Sequence, residues 1–118
     1  MTKIQTTRVY VKPAPDDGFR ILADRLWPRG LKKDAVPYDM WAKQLAPTDE
    51  LRRWFHEDPA ARWQVFQEKY LVELRQNPNL PEFIGAVRQH PVVTLLFAAK
   101  DTEHNQAVVL KHVLEQPS

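Results

Sequence analysis

The chain has 118 residues, 43% apolar and 27% charged, enough for one globular domain with its own core. It has no cysteine, which excludes disulfides, thiolate metal sites and cysteine nucleophiles, and its only serine is Ser118, which argues against a Ser-His-Asp site. The net charge of +2 conceals an asymmetry: residues 1–36 carry eight Lys and Arg against four acids, and the remainder nine against eleven.

In chain order, Lys3 to Val11 is rich in β-branched residues and Tyr10, and predicts a first strand. Two prolines and Asp17-Gly18 break it. A second strand follows over Phe19 to Leu26. The link from Lys12 to Gly18 is short for a parallel crossover, so an antiparallel or offset pairing of these two strands is expected on length. Leu31 to Pro47 reads as loop with one helical turn around Tyr38 to Lys43. Thr48 then predicts an N-cap, with Leu51, Trp54 and Phe55 as the buried stripe of a short helix. Asp58-Pro59 starts a long helix on Trp63, Phe66, Tyr70 and Leu74 that stops near Asn77-Pro78. Another helix runs from about Pro81 to Gln89. Val92 to Ala99 has no charged side chain and predicts a central strand covered by helices on both faces. Asp101 or Thr102 caps a last helix from Glu103 to about Leu114.

The sum is a single α/β domain over residues 1–118. It has a short, mostly parallel sheet with helices packed on it in two or three Rossmann-like layers. Within it, two segments share one form, an apolar strand feeding an abrupt polar corner. The first is Ile21 to Gly30 and the second Phe97 to Asn105. If the strands are parallel neighbours, both corners meet in one crevice at the carboxyl edge of the sheet, where such folds bind ligands. Arg25, Arg29 and Lys100 would hold an anion there. Asp24, Asp101 and His104 are the candidate proton-transfer groups, Asn105 a donor, and Trp27 a wall for a flat ligand. Each has a structural alternative: an ion pair and a turn for the first corner, helix capping for the second. The four histidines show no metal-ligand spacing, the chain lacks a Gly-rich phosphate loop, and neither a metal nor a cofactor is expected.

No run approaches the roughly 18 apolar residues of a membrane span, and Met1 to Gln5 lacks the apolar region of a signal peptide. The expected location is the cytosol and no membrane partner is expected. The basic N-terminal third favours anionic ligands but lacks the dense Lys/Arg stripe of a dedicated nucleic-acid binder. Monomer and homodimer both remain open.

Four ordered motifs carry a resemblance over nearly the whole chain: A-D-R-L-W-P-R-G (23–30), A-P-T-D-E-L-R-R-W-F-H (46–56), W-x-x-F-x-x-x-Y (63–70) and T-L-L-F-A-A-K-D-T-E-H-N-Q-A (94–107). Together they resemble the YeaO-like family. The resemblance implies a cytosolic bacterial α/β domain and implies no activity. Longer relatives look similar in carrying Asp-x-Arg after one strand and Cys-His-Arg after another. Here Arg25 follows Asp24 directly and Asn105 follows His104, so no mechanism needing a thiol or arginine at the second corner carries over.

The sequence therefore points to a small enzyme or ligand-binding domain for a phosphate- or carboxylate-bearing small molecule. The other reading is a non-catalytic module that binds protein or RNA through the basic N-terminal third.

Overall fold

The computed structural model describes residues 2–116. Its elements are β1 (Lys3–Arg8), β2 (Phe19–Leu22), β3 (Met40–Trp41), α1 (Asp49–His56), α2 (Pro59–Gln76), α3 (Leu80–Val87), β4 (Val92–Phe97) and α4 (Gln106–Glu115). The strands form one sheet in the order β1-β4-β2-β3, and every pairing is parallel. Leu95 of β4 stands between Thr6 of β1 and Ile21 of β2. The uncharged run of β4 is thus the central strand that its composition implies, and Val93 to Phe97 are buried.

Two expectations about the sheet are corrected. β1 and β2 are not antiparallel: β4 lies between them, and both run parallel to it. β1 ends earlier than its β-rich run, at Arg8, so residues 9–18 are free to make the connection. Such a stretch reaches up to roughly 33 Å, enough to return along the sheet and pass one strand with no more than the single 3-10 turn at Pro15–Asp17. The connection lies directly on β4. Thr94 Oγ1 donates to the Asp17 carbonyl at 2.6 Å, which explains a buried hydroxyl in a core strand. Gly18 closes the passage at φ +66°, where a Cβ would stand 2.3 Å from the Val92 carbonyl oxygen. Only glycine fits.

The second correction concerns the layers. Alternation along the strands sends Ile4, Ile21, Val93, Leu95 and Phe97 into one core with residues from all four helices, while Leu22 and Leu96 face the opposite side. That side is covered by the loop residues Val9, Trp27 and Val36 with Trp41 of β3, and not by α-helices. β3, missed in sequence, is a two-residue edge strand within this cover, paired to β2 through Met40 and Trp41.

The helical layer follows its caps and stripes. Thr48 accepts from Leu51 N, and Asp58 accepts from Ala61 N ahead of Pro59. Phe55 stacks on Phe66 at 4.0 Å, with Trp63 and Tyr70 6.0 and 5.7 Å from Phe66. Trp54 packs partly on this core and carries the cations of Arg62 and Lys69 over its ring. The last helix begins later than expected, at Gln106, and its cap is Asn105, whose side chain accepts from Val108 N. Among the described residues no helix is long and apolar enough to cross a membrane.

Candidate functional site

Beyond the carboxyl ends of β2 and β4 lies a cleft of about 560 Å³. Parallel pairing brings the two corners to the same edge, as it must. The first corner contributes all of Asp24 to Arg29, and the second contributes Ala98, Ala99 and Lys100. Of the candidate residues, Asp24, Arg25, Trp27, Arg29 and Lys100 therefore share one cleft. Asp101, His104 and Asn105 are not among its lining residues.

Asp24 ties the corners together. Its Oδ2 accepts from Ala98 N at 2.9 Å, its Oδ1 accepts from the Gln106 amide, and its carbonyl accepts from Trp41 Nε1 at 2.7 Å. Burial raises its pKa from 3.8 to about 6, against the lowering effect of the Ala98 and Gln106 donors and of the Arg52 charge. Arg25 reaches across the cleft wall, its Nε donating to the Pro47 carbonyl at 2.9 Å. Much of its fork is thereby spent on holding the start of α1. Trp27 donates to the Leu31 carbonyl at 2.7 Å and meets Trp41 edge-on at 5.7 Å, so it belongs to the loop-side core as well as to the cleft. Arg29 and Lys100 are exposed.

The second corner folds on itself. Asp101 Oδ1 accepts from the backbone N–H of Glu103 and His104, and Oδ2 lies 2.8 Å from His104 Nδ1. The His104 bond, followed by the backbone donors, holds the Asp101 carboxyl below its ordinary value. The His104 ring stands edge-on to Trp63 at 5.1 Å. Asn105 is buried, caps α4, and donates to the Asp101 carbonyl at 2.9 Å. Asn105 caps α4, and Asp101 and His104 close the turn ahead of it on each other.

Among the lining residues that escaped the sequence reading are Arg52, His56 and Gln106. Arg52 and His56 are four apart on α1, each one position beyond the buried Leu51 and Phe55, so they share the edge of that helix next to its apolar stripe. That spacing is the signal that could have found them. Arg52 Nη2 donates to Asp49 Oδ1 at 2.6 Å, and its Nε is buried without a hydrogen-bond partner among the described residues. Partial burial, and then the Arg52 charge, hold His56 below 6.5. Gln106, the first residue of α4, was hidden behind its cap. Among the described residues no group of three or more His, Cys, Asp or Glu could hold a metal ion.

Residues 3–118 match the family described as the inactive DUF488-N3 subclade. The chain is 42% identical to the uncharacterized protein YeaO of Escherichia coli over 107 residues, which covers 91% of this chain and 92% of that one. It is 37% identical over 113 residues to the uncharacterized protein Rv3073c of Mycobacterium tuberculosis, covering 96% and 94%. No solved structure matches it.

Proposed function

The chain belongs to the YeaO-like, inactive DUF488-N3 subclade, and from that premise we propose that it is a binding domain for an anionic small molecule, held in the cleft at the carboxyl edge of the sheet. The observation that carries this reading is the charge of the lining. Arg25, Arg29, Arg52 and Lys100 line the cleft with one carboxylate, Asp24. In a molecule of net charge +2, such a concentration of cations in one concave site focuses the field on anions. Guanidinium groups suit phosphate and carboxylate oxygens, which they meet with paired donors.

Binding is favoured over catalysis for two reasons. Two of the three proton-transfer candidates, Asp101 and His104, are bonded to each other outside the lining. The third, Asp24, has both carboxylate oxygens engaged by Ala98 and Gln106. The family's description as inactive agrees with this.

Thermal unfolding with increasing inorganic phosphate, against sodium chloride at matched ionic strength, tests the reading. A ligand that binds only the folded state raises Tm saturably. Arg29→Ala, an exposed substitution, is expected to keep the fold and lose the saturable rise. An equal rise in wild type and variant is the general salting-in-place of a folded protein by phosphate, and would overturn the proposal.

A further inference from the structure

The cleft is far larger than a bare phosphate or carboxylate, and within the roughly 300–1,000 Å³ typical of small-molecule sites. Its walls carry apolar side chains that the core does not use. Tyr10 is 43% exposed and Leu26 57% exposed, yet both line the cleft. Tyr10 is also fixed in place: its hydroxyl donates to the Arg29 carbonyl at 3.0 Å, and the Arg8 guanidinium lies 4.9 Å from its ring centre. An exposed aromatic ring held rigid at the side of a pocket offers contact area at little cost in side-chain entropy. Opposite in character is Arg52. Asp49 holds its Nη2, which fixes the guanidinium at the cleft wall. A guanidinium already fixed in place gives up little side-chain entropy on receiving an oxyanion, which it meets with charge-assisted donors.

We infer that the ligand is a molecule with one flat, apolar ring and one anionic group, the ring lying against Tyr10 and Leu26 and the anion seated on Arg52. This rests on the anion-binding reading of the same cleft and adds to it the body of the ligand and its anchor. The anion can be a phosphate or a carboxylate; the ring-plus-anion chemistry is common to both.

Calorimetric titration of the intact chain separates the parts. The probes are inorganic phosphate, acetate, adenosine, adenosine monophosphate and indole-3-acetate. A compound that joins ring and anion is expected to bind roughly tenfold tighter than its anion alone, the gain of one stacking contact, and adenosine is expected not to bind. Which of the two joined compounds binds identifies the oxyanion. Leu26→Ser, which removes no polar contact, is expected to erase the ring's advantage while leaving phosphate binding unchanged. Arg52→Met is expected to weaken every anionic probe, with its far-UV circular dichroism as wild type. Phosphate binding as tightly as both joined compounds would overturn the ring and leave the anion site standing. Silence from all five probes would remove the anion site, and the ring with it.

Discussion

Asp24 follows β2 and Asp101 follows β4, each a carboxylate just beyond a buried parallel strand, but their partners lie at very different distances along the chain. Asp101 finds its donors two and three residues on, at Glu103 and His104, and stays exposed. Asp24 finds its donors at Ala98 and Gln106, more than seventy residues away, and is largely enclosed. The environments push the two carboxyls in opposite directions, Asp24 upward through desolvation and Asp101 downward through hydrogen bonds to its charged form. A polar corner becomes part of a cleft when its side chains must look elsewhere for partners. It becomes a cap when its own next turn satisfies it.

Both corners hang from the same pair of strands, and the largest expected effect breaks them together. Leu96 pairs in register with Leu22 and is fully buried on the loop-covered face. Leu96→Ala is expected to cost about 2–5 kcal/mol, read as a lower midpoint in urea unfolding with an unchanged slope. A cost below about 1 kcal/mol would mean that the loop cover is too loose to count as core.

A smaller effect separates the corners by the sign of their pH dependence. The unfolded chain releases the Asp24 proton near 3.8, whereas the fold keeps it to about 6. Between those values the native state binds more protons, so Asp24 makes stability fall as pH rises, by on the order of 2–3 kcal/mol. Above about 6 its contribution is flat. Asp24→Asn keeps an acceptor for Ala98 N, and Gln106 can turn its amide to meet the new donor. Relative to wild type, this variant is expected to gain stability between pH 4 and 6. Asp101 acts in the other direction: its contribution is present above 3.8 and is lost as pH falls below it. Asp101→Asn is therefore expected to flatten only the acid limb, and by less. Parallel stability curves for wild type and Asp24→Asn from pH 4 to 6 would contradict the enclosed carboxyl.

The same contrast explains what the sequence reveals and what it hides. β4 is legible because an uncharged run of that length has few alternatives to a buried strand. The helices are legible because Leu51 with Phe55, and Phe66 with Tyr70 and Leu74, keep helical spacing beside visible caps. The loop layer is not, since Trp27, Val36 and Trp41 cover Leu22 and Leu96 with no period at all. β3 escapes for a related reason: two residues make a strand only because β2 lies beside them. At the site, Asp24 to Arg29 can be found because a strand end and a Pro-Gly corner stand next to each other. Asp101 and His104 carry the same surface signal, and only three-dimensional hydrogen bonding tells capping from lining. For Arg52 the spacing beside the apolar stripe of α1 marks a helix edge, but that this edge faces the cleft is a tertiary fact, fixed in part by Arg25 gripping Pro47.

The most direct measurement is an amide NMR titration with inorganic phosphate at constant ionic strength. The cleft account predicts saturable shifts at Asp24 to Arg29, Arg52 and Ala98 to Lys100, while Glu103 and Asn105 in the capped corner stay still. Shifts spread without saturation over the basic residues of the N-terminal third, or shifts at both corners alike, would contradict it.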